Sequence, residues 1–312
     1  MCSIERYCGS LLGLAIGDAL GSTVELKTPG SFTPITDMIG GSVYELKPGQ
    51  WTDDTSMALC LAESLIEKRG FDPVDQLTRY CQWYRKGYLT STGKCVGIGM
   101  VVREALEKFE RCGKPYCGSN DEYSAGSGSV IRCAPVPLFY AKIPQQAIDK
   151  SGESSRTTHG VKVAIDACRY FSALIVGAIS EVDKETLLSK RYSPALGYWE
   201  KHPLAKKIDE MACGSFKNKQ PPTISGTGYV VNALEAALWA FYNSDSFEKG
   251  LLLAVNLGNK ASSTGAVYGQ LAGAFYGEEA IPTDWLERLS KRYLIKTYAI
   301  QLAKLGKKLT AL

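Results

Sequence analysis

Two adjacent carboxylates open one helical stretch of this chain. They stand in Trp51-Thr52-Asp53-Asp54-Thr55, just before an apolar run. Acids at a helix start serve capping and dipole complementarity. Thr52, Asp53 and Asp54 also offer the hard oxygen ligands that Mg²⁺ prefers. Gly17-Asp18-Ala19-Leu20-Gly21 runs into a loop ending at Glu25. Asp18 can be a buried carboxylate holding loop amides, and Glu25 a solvated loop acid. Gly126-Ser127-Gly128-Ser129 is either a turn or an anion cradle, since glycine lets backbone amides approach a ligand. It lacks the Lys-Ser/Thr ending of a Walker loop. His159, in Thr157-Thr158-His159, is one of two histidines; it is either a buried hydrogen-bonding group or a site residue. Tyr229 opens another helix and can stack on a base or close the core. Asn256 to Ala266 holds Lys260, Ser262 and Ser263 before a helix of small residues, where serine and threonine can cap.

Helices must position these groups. Periodicity predicts them over 3–20, 54–69, 73–86, 98–111, 160–179, 183–191, 229–243, 246–256, 261–276, 283–290 and 292–308. Gly9, Gly13 and Gly17 recur every fourth residue in the first. Glycine is a poor helix former, so this stripe predicts very close helix packing. Strand signals are short, near 34–46 and 130–140, with prolines bending 133–145. Loops are predicted at 22–52, 112–129, 144–158 and 214–228. No repeat or linker divides residues 1–312, so one all-α domain is expected.

Composition narrows the partners. The 312 residues carry a net charge of +4 without a polybasic run, which argues against nucleic-acid or membrane binding. No stretch reaches the roughly 18 apolar residues of a membrane span. The ten cysteines are scattered, several within apolar helical runs. The nearest pair, Cys112 and Cys117, lacks the second pair or histidine of a zinc site. Without an export signal, reduced thiols and a cytoplasmic location are expected.

In order, GLAIGDALGSTVE (13–25), WTDDTSMALCLAESL (51–65), GSGSVIRCAPV (126–136), TTH, GTGYVVNALEAALWAF (226–241) and AVNLGNKASSTGAVYGQLAGAFYG (254–277) resemble the ADP-ribosylglycohydrolase family. The resemblance implies a compact single-domain all-α orthogonal bundle. It implies hydrolysis of the bond between ADP-ribose and a modified protein side chain or related small-molecule acceptor. It further implies two Mg²⁺ ions and a monomer. Carried over by position, Thr52, Asp53 and Asp54 match metal ligands, with Ser262 and Ser263 where the last ligands stand. Glu25, Asp53 and Asp54 are the candidate catalytic carboxylates. Gly126, Ser127, Gly128 and Ser129 match the loop on the diphosphate and distal ribose, and His159 and Tyr229 match further substrate contacts.

The chain departs from the family at the metal shells. The family's Gly-Asp-x-Asp-Thr motif reads here with Lys260 and Ser262 at its two aspartates and Ser263 at the threonine. Gly97 stands where an aspartate is common. An ammonium about 4 Å from a cation repels it by roughly 4 kcal/mol per unit charge at an effective dielectric near 20. Lys260 can point away, or replace one Mg²⁺ by neutralising the acids. Two readings therefore remain: an Mg²⁺-dependent ADP-ribosylhydrolase, and a family-fold protein that binds ADP-ribose or a nucleotide, or serves a structural role, without turnover.

Overall fold

Fifteen α-helices form among residues 3–309, the part of the chain that the computed structural model describes, and no strand ladder forms there. The N-terminal half contains α1 (Ile4–Gly21), α2 (Asp53–Lys68), α3 (Pro73–Lys86), α4 (Met100–Cys112), α5 (Pro135–Phe139) and α6 (Pro144–Arg156). The rest holds α7 (Lys162–Ile179), α8 (Lys184–Leu187), α9 (Tyr198–Lys201), α10 (Lys206–Ala212), α11 (Val230–Tyr242), α12 (Phe247–Val255), α13 (Ala261–Tyr276), α14 (Thr283–Arg288) and α15 (Arg292–Lys308). One apolar core runs from Tyr7 to Ala303. No described helix is long and apolar enough to cross a membrane.

Three expectations need correction. The strand expected near 34–46 is an irregular loop with a single antiparallel bridge between Gly41 and Leu46. The weak strand signal near 130–140 and the bent connection expected at 133–145 instead hold α5, whose Pro135 sits at the first helical position. The loop expected at 144–158 is mostly α6, again opened by a proline. Its Ser and Gly residues read as a loop, yet they are its buried face. A methyl added at Gly152 would lie 3.0 Å from Arg169 Cγ on α7, so the small residues serve packing. Helices α9 and α10 are short and carry no periodicity strong enough to foresee.

The α1–α13 seam matters most for function. Gly9, Gly13, Gly17 and Gly21 face Gly273, Gly269, Gly265 and Ala261 in descending order, so the helices run antiparallel. A Cβ at Gly17 would lie 2.0 Å from the Gly265 carbonyl oxygen, and one at Gly269 would lie 1.9 Å from that of Gly13. The backbones touch, and both helices are buried along nearly their full lengths. This register brings Gly21, at the end of α1, beside Ser262, at the start of α13.

The seam is testable. Gly269→Ala adds about 1 kcal/mol of helix propensity. The overpacking cost of roughly 1–3 kcal/mol or more should exceed it. We expect a net loss of about 1–2 kcal/mol in denaturant unfolding; a more stable variant would show that the seam has slack.

Candidate functional site

The buried carboxylate of Asp18 organises the start of α2. It accepts from the Thr52 amide (3.0 Å) and hydroxyl (2.8 Å), and from the Thr55 amide (3.0 Å) and hydroxyl (2.7 Å). These amides belong to the helix N-terminus, which lacks internal partners. Asp18 therefore caps α2 from another helix, as its reading as an amide-holding carboxylate anticipated. The N-cap residue itself, Thr52, makes no side-chain capping bond. Burial pushes Asp18 up to about 6, against the hydrogen bonds that favour its charge.

Glu25 performs the same service for α13. Its Oε2 accepts from the Ser262 amide and hydroxyl, both at 3.0 Å. Its Oε1 accepts from Lys260 Nζ at 3.1 Å. Two backbone bonds fix the loop in place: Leu26 N donates to Asn259 O (2.6 Å) and Asn259 N to Lys27 O (2.8 Å). Burial alone would lower the Lys260 ammonium, but Glu25, Asp53 and Asp54 together raise it. Lys260 thus pairs with Glu25, whereas the sequence suggested Asp53 or Asp54 as its partner.

Asp54 is buried, and its Oδ2 has no hydrogen-bond partner among the described residues. Asp53 is half-buried and lines a cavity of about 190 Å³. Burial first, and Asp18 next, hold both carboxyls well above the ordinary range. Gly97 lies against Asp53. It has φ +85°, and a Cβ there would sit 2.1 Å from Asp53 Oδ1. An aspartate at 97 would need both a strained backbone and a displaced Asp53.

The opposite wall is the glycine-serine loop. Ser127 N donates to Gly228 O (2.9 Å), and Val230 N to Ala125 O (3.0 Å), joining this loop to the start of α11. His159 lies beneath it. A Cβ at Gly128 would be 2.8 Å from His159 Cε1, so glycine gives the imidazole room. Burial, then the nearby Arg132 charge, pushes His159 down to about 3, so it is neutral at physiological pH.

The cavity gathers most of the expected residues. Glu25, Asp53, Gly126, Ser127, Gly128 and His159 line it, as do Lys260, Ser262 and Ser263. Thr52 and Asp54 stand behind its wall, and the Ser129 hydroxyl accepts from Ser155 (2.9 Å). Tyr229, 41% exposed, lines an outer cleft of about 770 Å³ that shares Gly126 and Gly228 with the cavity. Sequence reasoning missed Tyr44, in the cavity wall at the turn 41–46, and the buried Arg132. Neither carries a local signal: Tyr44 sits in an irregular loop and Arg132 in an apolar stretch.

The α2 side of the site carries more uncommitted carboxylate oxygen than the α13 side. On the α2 side, Thr52, Asp53 and the unpartnered Asp54 Oδ2 offer hard oxygens with charge to spare. On the α13 side, Glu25 has committed both oxygens, and an ammonium stands where a carboxylate would be needed. No three Asp, Glu, His or Cys residues among those described converge as a metal cage.

Comparison with known proteins agrees with this geometry. The ADP-ribosylglycohydrolase family model matches residues 3–311. The chain is 38% identical over 300 residues to the ADP-ribosylarginine hydrolase Tri1 of Serratia proteamaculans, covering 96% of this chain and 79% of that one. It is 30% identical to the ADP-ribosyl-[dinitrogen reductase] glycohydrolase of Rhodospirillum rubrum, covering 92% and 91%. A solved ADP-ribosylglycohydrolase-related protein complex superposes with a TM-score of 0.85 at 42% identity, over 97% of this chain and 98% of that one.

The anchor at Asp18 is directly checkable. Asp18→Asn keeps the shape but replaces one of the two acceptor oxygens with an amide NH₂ that faces donors. Each buried donor left unpaired costs about 1–3 kcal/mol. A stability loss above roughly 2 kcal/mol is expected in denaturant titration. A neutral result would mean that the N-terminus of α2 is held by something else.

Proposed function

Since the chain belongs to the ADP-ribosylglycohydrolase family, we propose that it grips the ADP-ribosyl group of a modified protein, or of an ADP-ribose-containing small molecule, and hydrolyses the glycosidic bond. The observation that carries this reading is the unpartnered Asp54 Oδ2 behind the cavity-lining Asp53. A buried carboxyl without a partner is costly to ionise, and a bound cation would offset that cost. Thr52, Asp53 and Asp54 would hold a single Mg²⁺. When bound, it would keep both acids ionised and supply Lewis-acid polarisation of an oxygen ligand.

The chain's own residues do the rest. Gly126, Ser127 and Gly128 line the cavity, and the Ser127 hydroxyl would meet an anionic group there, since the Gly126 and Ser127 amides are already bonded to Ser124 O and Gly228 O. Asp53 is the cavity-lining carboxylate not committed to capping, so it is the one placed to take a proton from attacking water. Glu25 instead fixes the start of α13. Lys260 supplies a tethered positive charge where a second ion would otherwise be required.

A second reading, binding without turnover, is favoured by one observation: both Glu25 oxygens are already occupied by Lys260 and Ser262. Assaying release of free ADP-ribose from a modified protein, alongside ADP-ribose calorimetry, separates the two. Hydrolysis predicts Mg²⁺-dependent release that falls about 100-fold or more in Asp53→Asn. ADP-ribose binding with no release supports the second reading, and no binding at all rejects both.

Metal dependence has a definite sign with pH. Asp53 and Asp54 bind their protons more tightly in the folded chain than in the unfolded one. Without a cation, this pair stabilises the fold at low pH, and the contribution is lost as pH rises through their elevated range. Mg²⁺ binds the ionised pair. It should therefore raise the melting temperature more at about pH 8 than at about pH 5. Equal shifts at both values would place Mg²⁺ elsewhere. Lys260→Asp combined with Ser262→Asp should increase the calorimetric Mg²⁺ stoichiometry, and an unchanged value would contradict the role given to Lys260.

A further inference from the structure

Arg132 is fully buried, and among the described residues no carboxylate lies within ion-pairing distance of it. Buried guanidinium groups ordinarily pair with acids, so its other partners matter. Its Nη1 donates to Gly128 O at 3.1 Å, tying it to the glycine-serine loop. The guanidinium lies 4.7 Å from the Tyr80 ring centroid. Its Nη2 donates to Thr158 Oγ1 at 2.8 Å. The same Oγ1 lies 2.8 Å from His159 Nδ1.

The donor inventory orients this chain of bonds. Arginine only donates, so Thr158 Oγ1 accepts from it. The Thr158 hydroxyl hydrogen then has one acceptor in reach among the described residues, His159 Nδ1. With Nδ1 accepting, a neutral imidazole carries its proton on Nε2. That nitrogen has no protein partner among the described residues, and His159 lines the cavity. Gly126 leaves it space, because a Cβ there would lie 3.4 Å from Nε2.

We infer that Arg132 and Thr158 are positioning residues that lock His159 as the Nε2–H tautomer, making it a fixed donor to a phosphate oxygen of the bound ligand. The ligand half of this inference rests on the ADP-ribosyl reading; the tautomer half does not. Arg132 adds an uncompensated positive charge beneath the loop where that phosphate would lie. A neutral, pre-oriented imidazole donor needs no reorganisation on binding.

Imidazole ¹⁵N shifts of the full-length chain test the relay, and His202→Gln assigns the signals because the chain has only two histidines. The Nε2–H pattern is expected for His159, without titration between about pH 5 and 8. Thr158→Val should mix the tautomers and weaken ADP-ribose binding about 10-fold, while adenosine binding stays unchanged. Thr158→Ser should restore both. An Nδ1–H pattern in the unaltered chain overturns the inference. So does a Thr158→Val variant with unchanged tautomer and unchanged ADP-ribose affinity. If the unaltered chain binds no ADP-ribose, the functional reading fails and the phosphate role with it, while the shifts still decide the relay.

Discussion

The backbone contact between α1 and α13 sets the geometry of everything else. With backbone against backbone along the glycine stripe, the two helices leave little room to slide, and the register is set by where each glycine meets a carbonyl. Asp18 at one end of the seam then reaches the first turn of α2, and Glu25, just beyond it, reaches the first turn of α13. Two helix N-termini are thus capped by carboxylates from elsewhere in the chain. That arrangement frees Asp53 and Asp54 from capping and leaves them beside a cavity.

Charge balance explains the character of the site. Asp18, Glu25, Asp53 and Asp54 crowd together, and Lys260 is the ammonium ion-paired within the group. Glu25 is neutralised by that contact and by the Ser262 hydrogen bonds. Asp18 is surrounded by four donors. Asp53 and Asp54 keep no such compensation and are held protonated or await a cation. The opposite wall has the reverse problem, since Arg132 is buried without an acid.

Much of this was legible in the sequence, for physical reasons. The stripe Gly9, Gly13, Gly17 announced close packing because glycine has no other use at helical spacing. Asp53 and Asp54 stood out as adjacent acids at a helix start, and the family resemblance supplied the loop at 126–129 and His159. The errors share a cause. Helix α6 lies where a loop is expected because its buried face is made of serine and glycine, and α5 lies where prolines predict a bent connection because those prolines open the helix. Local composition does not tell a small-residue packing face from a turn. Tyr44 and Arg132 were invisible because their importance is entirely tertiary. The partner of Lys260 was misassigned for the same reason: the approach of Glu25 depends on a loop pairing between residues 26–27 and 259.

The central claim is that the α2 side of the cavity takes one divalent ion while Lys260 stands in for another. Anomalous diffraction from crystals soaked in Mn²⁺ tests it most directly. The account predicts a single anomalous peak coordinated by Asp53 and Asp54, with Lys260 Nζ still against Glu25. Two peaks, with the lysine displaced from Glu25, would contradict it, and so would a peak that touches neither aspartate.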